Sequence, residues 1–349
     1  MGVTELGKLI PDSIRRRVAL EQLNGKLIAL DAYNALYQFL ASIRQPDGTP
    51  LMDSRGFVTS HLSGLLYRTI NLLEAGVKPV YVFDGKPPEL KLLEIEKRRR
   101  VREKAVDEWI KAIESGRREE ARKYAQRALF LTNEMVDEAK RLLDAMGIPW
   151  VQAPSEGEAQ AAYMASRGIA WAAGSQDYDS LLFGSPRLVR NLTITGRRKL
   201  PGREEYVEVN PEVIELNDVL RALRLKDRAQ LIDLAILLGT DYNPEGVPGI
   251  GPQRALRLIY ELGSLDKMLN TVLKNANFPV DPLKIREFFL KPPVADVEVR
   301  FRGFDEKAIF DILVQEHDFN IDRVKNAVER LKKAYNRVRG STTLDSFFG

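Results

Sequence analysis

Hydrophobic and polar positions follow two alternating patterns along the first half of the chain. Short apolar runs, which predict buried strands, lie at residues 27–31, 79–84, 148–152 and 170–175. Apolar residues at helical spacing predict helices at about 33–43, 58–76, 133–146 and 156–167. Strands that alternate with helices are typical of an α/β fold, so we predict a largely parallel central sheet flanked by helices on both faces.

A long charged stretch, from Lys86 to about Arg127, separates the second and third predicted strands. It is longer than a crossover between parallel strands requires, and long insertions in compact domains are usually functional. Lys91, Arg98 and Arg102 are spaced 7 and 4 residues apart, so they share one face of a helix. A solvated charged helix would have the same composition, so the pattern alone leaves both interpretations open.

The second half of the chain is mainly helical by pattern. Residues 228–238 predict a strongly apolar helix, which a glycine-containing turn at 246–254 follows. A second helix is predicted from about Pro252 to Tyr260. Residues 305–337 predict two further helices, and the last ten residues, 340–349, have the composition of a tail.

The composition of the 349-residue chain excludes several kinds of site. It contains no cysteine, which excludes disulfides and thiolate metal sites. Its only histidines are His61 and His317, so oxygen ligands must hold any metal ion. No run approaches the roughly 18–20 apolar residues of a membrane span, and the N-terminus lacks a signal-peptide pattern. We therefore expect a soluble intracellular protein.

The most informative polar positions are seven carboxylates at the ends of predicted strands or the starts of predicted helices. They are Asp31, Asp84, Glu156, Glu158, Asp177, Asp179 and Asp241. In an open α/β sheet, side chains at the carboxyl ends of the strands can converge on one site. Hard cations such as Mg²⁺ take oxygen ligands, and two-metal sites clamp both oxygens of a phosphoryl displacement. The pattern indicates a metal-dependent phosphodiesterase.

Each acid also has a structural explanation. Ser155 and Glu158 fit a helix-capping box, in which Glu158 would only cap a helix, while Asp177 and Asp179 fit turns after a strand. Two carboxylates about 5 Å apart repel by roughly 3 kcal/mol at an effective dielectric near 20. A cluster of seven therefore requires bound cations or raised pKa values, and we favour bound metal.

Five sequence blocks carry a resemblance to a known family. They are Asp31-Ala32-Tyr33-Asn34, Val80 to Pro88 (VYVFDGKPP), Ala153 to Ala159 (APSEGEA), Gln176-Asp177-Tyr178-Asp179, and Leu238 to Tyr242 (LGTDY) leading into Gly249-Ile250-Gly251-Pro252. In these blocks the chain resembles the flap endonucleases of the structure-specific 5′ nuclease superfamily, in particular archaeal members. The resemblance runs essentially from end to end. It implies a PIN-like mixed α/β nuclease fold with a helical arch and a helix–turn–helix DNA-binding element.

The resemblance also implies one nuclease domain and a tail. The nuclease domain would span residues 1–339 and the clamp-binding tail residues 340–349. Within the domain, the N-terminal part would cover 1–100 and the arch about 86–130. The internal nuclease part would cover about 131–265, with the glycine turn at 246–254, and the C-terminal helices would lie at 305–337.

The activity that the resemblance implies is incision of 5′ flaps near the junction of single- and double-stranded DNA, with associated 5′–3′ exonuclease activity. Such an enzyme acts in replication, including Okazaki fragment maturation, and in repair. The seven carboxylates would hold two Mg²⁺ ions, for which Mn²⁺ can substitute, and Asp179 would be catalytic. Lys91 and Arg98 would stabilise the charge that develops on the scissile phosphate, and Arg102 would contact DNA.

The glycine turn does not match a dinucleotide-binding fingerprint, because Arg254 occupies the third glycine position. Backbone N–H groups of such a turn can instead bind a phosphate. The resemblance implies that Gly249, Gly251, Gln253 and Arg254 grip duplex DNA here with help from a monovalent cation. A plain turn between two helices is the alternative.

Two further residues have competing interpretations. Tyr37 lies on the predicted helix after Asp31, where an aromatic residue is usually part of the core. In the family the matching tyrosine stacks on a base near the cut, which makes Tyr37 a candidate DNA contact. His61 has no evident partner for a catalytic triad, and we predict a structural role for it.

The tail carries apolar residues that one helical turn would present together. Leu344, Phe347 and Phe348 are spaced i, i+3 and i+4. The pattern resembles the clamp-binding motif Gln-x-x-Leu-x-x-Phe-Phe, with Ser341 in place of the glutamine. It implies docking on the sliding clamp PCNA, and packing of this turn on the protein's own core is the alternative.

Two other functions fit parts of the sequence. A non-catalytic DNA-structure-binding protein would not need all seven acids. A single-strand ribonuclease of the PIN type would be much shorter and would lack the arch and the glycine turn. The preferred interpretation is a monomeric enzyme that acts on 5′-flap, nicked or gapped DNA and has no membrane partner. It would work in the cytoplasm or nucleoid of an archaeon, or in a eukaryotic nucleus.

Overall fold

A seven-stranded mixed sheet forms the centre of the computed structural model, which describes residues 4–45, 49–115, 120, 131–194, 196–199 and 206–345. The strands are β1 (Arg16–Arg17), β2 (Leu27–Asp31), β3 (Lys78–Phe83), β4 (Trp150–Gln152), β5 (Ala172–Gly174), β6 (Arg187–Arg190), β7 (Gly196–Lys199), β8 (Tyr206–Val209) and β9 (Glu212–Glu215). The central sheet has the order β1-β9-β6-β5-β2-β3-β4, while β7 and β8 form a separate two-stranded ribbon.

Helices account for most of the remaining described residues. They are α1 (Thr4–Leu9), α2 (Ala32–Ser42), α3 (Ser60–Glu74), α4 (Leu92–Glu114), α5 (Asn133–Ala145), α6 (Gly157–Ser166), α7 (Asp179–Leu182), α8 (Leu216–Ala222), α9 (Arg228–Leu238), α10 (Pro252–Leu262), α11 (Leu265–Asn270), α12 (Pro282–Leu290), α13 (Glu306–Phe310) and α14 (Ile321–Asp345). Shorter helical turns lie at Asp12–Ile14, Leu20–Leu23, Glu89–Lys91, Leu192–Ile194 and Asp311–Glu316.

The predicted, largely parallel sheet is confirmed. Strands β4, β3, β2, β5 and β6 run parallel to one another. At one edge of the sheet, β9 pairs antiparallel with both β6 and β1, so β9 alone runs against the other strands. The apolar runs predicted β2 to β5 within two residues, whereas no such run predicted β6 and β9. Each of these has only two buried residues between partly exposed charged ends, so neither stands out as an apolar run.

Both faces of the sheet are buried, as the helix–strand alternation predicts. Ile28 and Leu30 of β2 pack into a cluster with residues of α2, α3, α5 and α14. Ala29, between them, packs into another cluster with residues of α6. Because side chains alternate along a strand, β2 contributes to both layers of core and is fixed in register.

The predicted helices agree with the structure where it describes them. The helix predicted at 228–238 is α9 with the same bounds, and the one predicted after the glycine turn extends to Leu262 as α10. Helix α4 covers part of the predicted arch, of which residues 116–119 and 121–130 lie outside the described residues. Within the described ranges, no helix is long and apolar enough to cross a membrane.

The predicted tail begins on the last helix. The backbone of α14 continues to Asp345, so residues 340–345 extend that helix, and residues 346–349 lie outside the described part of the chain.

Both histidines face one half-buried carboxylate, that of Glu138. His61 is fully buried on α3, with its Nε2 3.1 Å from Oε2 of Glu138 on α5. The Nε2 atom of His317 lies 3.3 Å from the other oxygen of Glu138. Since this network ties α3 and α5 to the segment before α14, it agrees with a structural role for His61.

Candidate active site

The structure brings the seven carboxylates together at one edge of the sheet. Asp31 ends β2 and Asp84 directly follows β3. The remaining acids begin α6, flank the start of α7, and follow α9. Asp31 interacts electrostatically with Asp84 and Asp177, and Glu158 interacts with Asp179. Parallel strands that end at a common edge explain why acids so far apart in sequence converge.

A glycine allows two of the elements to approach closely. Asp84 Oδ1 accepts a hydrogen bond of 2.6 Å from the backbone N–H of Gly157, at the start of α6. A Cβ atom at position 157 would lie 2.8 Å from that oxygen and 3.0 Å from the carbonyl oxygen of Val82. Only glycine therefore allows the helix N-terminus to sit directly on the Asp84 carboxylate, whose negative charge it favours.

The capping-box explanation for Glu158 is wrong. The N-cap of α6 is Glu156, in an extended conformation with φ −72° and ψ 129°, and no side chain caps the helix there. Ser155 lies one residue too early to cap it. Because Glu156 precedes the helix and Glu158 lies in its first turn, both side chains can reach the same centre.

Burial and like charge act together on these acids. Burial, followed by the charges of Asp84 and Asp177, raises the pKa of Asp31 well above its usual range. Burial, Asp179 and Asp31 do the same to the pKa of Glu158. The Oε1 atom of Glu158 is buried and has no hydrogen-bond partner. The centre therefore needs positive charge to stay ionised at neutral pH.

Lys91 and Arg98 supply part of that positive charge. Lys91 Nζ lies 2.7 Å from Glu156 Oε2 and 3.2 Å from Asp241 Oδ2. Arg98 donates from Nη2 to Asp241 Oδ1 at 3.1 Å. Burial opposes the ionisation of Asp241, but Lys91 and Arg98 outweigh it and lower the pKa of this carboxyl. The short helical turn before α4 thus brings Lys91, and α4 itself brings Arg98, onto one side of the acidic centre.

The donor set fits hard divalent cations in its chemistry. It consists only of oxygen ligands, Asp179 is buried while the other acids are half-buried, and the buried Oε1 atom of Glu158 has no hydrogen-bond partner. As the side chains stand, no three acidic or histidine residues of the described ranges are placed to hold one ion together. The acids are thus gathered in one place, but the described side chains are not arranged in a coordination geometry for an ion.

The glycine turn presents an exposed helix start. Gly249 has a φ of +77°, which favours glycine, and Gly251 is the N-cap of α10 without a side-chain cap. Gln253 and Arg254 are exposed on the first turn of that helix. Arg254 Nη1 lies 3.2 Å from the carbonyl oxygen of Gly249. A Cβ atom added at Gly249 or Gly251 would meet no atom within 4 Å, so the turn is open to solvent.

The other predicted site residues are placed less completely. Tyr37 is half-buried on α2. The backbone of Arg102 lies in α4 and that of Leu344 in α14, but their side chains are outside the described part of the structure. Phe347 and Phe348 lie entirely outside the described residues.

One residue that touches the acids, Asn34, is not among the site residues predicted from the sequence. Asn34 donates its side-chain amide to Asp177 Oδ2 at 3.2 Å and its backbone N–H to Asp31 Oδ1 at 3.0 Å. The available signal was its place three residues after Asp31, where the backbone N–H of a helix meets its N-cap.

Two family regions match the chain, the XPG N-terminal domain at residues 1–105 and the XPG I-region at residues 147–241. Over 350 residues the chain is 81% identical to Flap endonuclease 1 of Caldivirga maquilingensis, with 100% of each chain covered. Flap endonuclease-1 from Methanococcus jannaschii has a similar structure, with a TM-score of 0.74 and 45% identity over 96% of this chain and 99% of that one. The catalytic core of Rad2 in complex with DNA substrate matches with a TM-score of 0.66 and 25% identity, over 92% of this chain and 97% of that one.

Glu158→Gln should stabilise the metal-free protein. The raised pKa of Glu158 means that its charge opposes folding at neutral pH, and this cost disappears as the pH falls below the usual value of 4.5. In EDTA, the variant should therefore melt at a higher temperature than wild type at neutral pH, with a difference that shrinks in acid. Melting curves followed by circular dichroism measure both. Glu298→Gln, at an exposed surface pair with Arg300, should change little. An unchanged or lower melting temperature for Glu158→Gln would contradict the electrostatic account.

Proposed function

The chain belongs to the flap endonuclease 1 family of XPG-type nucleases, and on this premise we propose that it cuts 5′ flaps by hydrolysing a phosphodiester bond near the junction with duplex DNA. It would also act as a 5′–3′ exonuclease, in replication, including Okazaki fragment maturation, and in repair. The observation that carries the proposal is the gathering of seven carboxylates at the carboxyl ends of parallel strands, with two cationic side chains placed against them.

The seven carboxylates would hold two Mg²⁺ ions, with Mn²⁺ as a substitute. These ions, when bound, would stabilise the charge on the attacking and leaving oxygens of the phosphodiester. The residues that would hold them are Asp31, Asp84, Glu156, Glu158, Asp177, Asp179 and Asp241. The raised pKa values of Asp31 and Glu158 support the assignment, since carboxylates crowded together in such a place are stable in ionised form only beside positive charge.

Lys91 and Arg98 would act on the scissile phosphate. Each is already placed against Asp241, at 3.2 Å for Lys91 and 3.1 Å for Arg98, so each can exchange a carboxylate partner for a phosphate oxygen. Burial lowers the pKa of Lys91, but the charges of Glu156 and Asp241 outweigh it, so the side chain stays protonated. Positive groups held at the reacting phosphate stabilise its transition state.

The substrate strand and its duplex would contact surfaces on either side of the acids. Tyr37, on the helix that begins at Asp31, would stack on a base near the cut. Duplex DNA would bind the glycine turn, where the exposed N-terminus of α10 favours a phosphate. Gly249, Gly251, Gln253 and Arg254 would make these contacts beside a monovalent cation, and Arg102 would add a contact from the arch.

Its partners would be branched DNA, namely 5′-flap, nicked or gapped duplex, and the sliding clamp PCNA. A DNA complex of the Rad2 catalytic core, which shares this fold, supports the first of these. Leu344, Phe347 and Phe348 would dock on the clamp from the C-terminal end of α14, and the enzyme would act as a monomer. In an archaeal cell it would work in the cytoplasm or nucleoid.

A non-catalytic DNA-structure-binding protein is the rival from another class. It predicts tight binding to branched DNA without any metal-dependent cleavage. Labelled 5′-flap, gapped, nicked and single-stranded DNAs, each with and without Mg²⁺, distinguish the two. We expect Mg²⁺-dependent incision at the flap junction, whereas binding without cleavage under all conditions would refute the proposed function.

Asp179→Asn should nearly abolish cleavage of the 5′ flap and leave affinity for it within a few-fold of wild type. The change removes the charge of a metal ligand and keeps the shape, while most affinity for DNA comes from phosphate contacts elsewhere. Single-turnover rates and binding curves on the same substrate measure the two effects. A cleavage rate close to that of wild type would contradict the role of Asp179 in the metal site.

Arg98→Ala should slow the single-turnover rate by about 100-fold or more and weaken binding much less, because a clamp on the transition state acts mainly on the rate. Lys91→Ala should behave in the same way. Arg100→Ala is the matched control, since Arg100 lies on the same helix but pairs with Glu96 at the surface. If Arg98→Ala lost only affinity, with an unchanged rate at saturation, Arg98 would be an ordinary phosphate contact.

Deletion of residues 341–349 should abolish stimulation by the clamp and spare intrinsic flap cleavage. Two aromatic anchors can dominate a small interface, even though Ser341 replaces the usual glutamine. Phe347→Ala with Phe348→Ala should have the same effect without shortening the chain. Titration of each form with the cognate clamp measures binding, and equal binding by wild-type and truncated enzyme would refute the assignment.

A further inference from the structure

A series of hydrogen bonds links three polar side chains, those of Thr193, Gln38 and Asn34, to Asp177, one of the seven acids. Asn34 Nδ2 donates to Asp177 Oδ2 at 3.2 Å, and Gln38 Nε2 donates to Asn34 Oδ1 at 3.1 Å. The hydroxyl of Thr193 donates to Gln38 Oε1. Asn34 and Gln38 are one helical turn apart on α2, so their side chains lie on one face of it.

The direction of these hydrogen bonds is fixed from the acidic end. A carboxylate that binds a cation can only accept hydrogen bonds, so Asn34 presents its NH₂ group to Asp177 and its oxygen to Gln38. Gln38 must then give its own NH₂ group to Asn34 and turn its oxygen towards Thr193. A donor is therefore required at the far end, and the buried hydroxyl of Thr193 provides it.

The sheet explains why these hydrogen bonds form beside the acids. Strands β2 and β5 are paired neighbours, and Asp31 ends the first while Asp177 follows the second. Helix α2 begins directly after Asp31, so Asn34 in its first turn faces both acids. Thr193 lies in the short helical turn that follows β6, the strand on the other side of β5.

We propose that Asn34 is a positioning residue for Asp177, and that Gln38 and Thr193 hold it in the orientation that this task needs. The inference rests on the proposed function, in which Asp177 is a metal ligand. An amide that is itself held at both ends restricts the carboxylate to one orientation before the ion binds. Partners that orient metal ligands typically affect metal affinity by about 10- to 100-fold.

Metal affinity without DNA is the readout that a purely structural role would not change. Mn²⁺ binding to the full chain, followed by electron paramagnetic resonance, should be about 10-fold weaker for one ion in Asn34→Leu. Thr193→Val should weaken it several-fold. Thr69→Val is the matched control, since it also removes a buried hydroxyl. That hydroxyl lies 2.8 Å from the Tyr81 hydroxyl and takes no part in the hydrogen bonds that lead to Asp177. It should bind Mn²⁺ like wild type, even if it melts at a lower temperature.

The double variant tests whether Thr193 acts through Asn34. In the Asn34→Leu background, Thr193→Val should cause no further loss of Mn²⁺ affinity, because the hydrogen bonds between Gln38 and Asp177 through Asn34 are already lost. If the losses of Mn²⁺ affinity from the two changes added up, Thr193 would not act through Asn34, and this part of the inference would be refuted. Should Asn34→Leu fail to fold, Thr193→Val decides alone, and affinity equal to wild type would refute the inference.

Asp177→Asn separates this inference from the function on which it rests. If that variant loses an ion while Asn34→Leu and Thr193→Val bind like wild type, the positioning role is wrong and the metal site stands. If Asp177→Asn itself binds Mn²⁺ like wild type, Asp177 is not a ligand, and both the inference and this part of the proposed function are refuted.

Discussion

The repulsion among seven carboxylates gathered at one edge of the sheet, all of them buried or half-buried, is the constraint on which the rest of this site depends. Burial and like charge raise the pKa of Asp31 and Glu158, so the folded chain carries an electrostatic cost at its centre. Two kinds of positive charge can offset that cost, namely the side chains of Lys91 and Arg98 and bound divalent cations. Under the proposed function, a phosphodiester bound at the same place would contact both kinds of positive charge.

Three ordinary features of the fold bring these charges together. Parallel strands end at a common edge, which brings acids from distant segments together without any special loop. The absence of a side chain at Gly157 lets the start of α6 contact Asp84, so a helix N-terminus offsets some of the negative charge. The long insertion then returns Lys91 and Arg98 to the acids. The site results from these three features together.

The sequence predicted the parts of this structure that depend on local pattern and composition. Strand β2, helix α9 and the convergence of the acids follow from apolar runs and strand ends. The capping-box explanation of Glu158 was wrong because Ser-x-x-Glu is the same pattern whether or not the helix starts at the serine. The contact between Asn34 and Asp177 joins residues 143 positions apart, and that between Gln38 and Thr193 joins residues 155 apart. No local pattern contains such pairs, so they required the fold.

The central claim is that the seven acids form one centre for divalent cations. Crystals of the protein soaked in Mn²⁺ test it most directly, because anomalous scattering locates the ions independently of any assay. The account predicts two peaks within coordination distance of the carboxylates at 31, 84, 156, 158, 177, 179 and 241, with Lys91 displaced from its place against Glu156. Peaks elsewhere on the molecule, or none among these acids at saturating Mn²⁺, would contradict it.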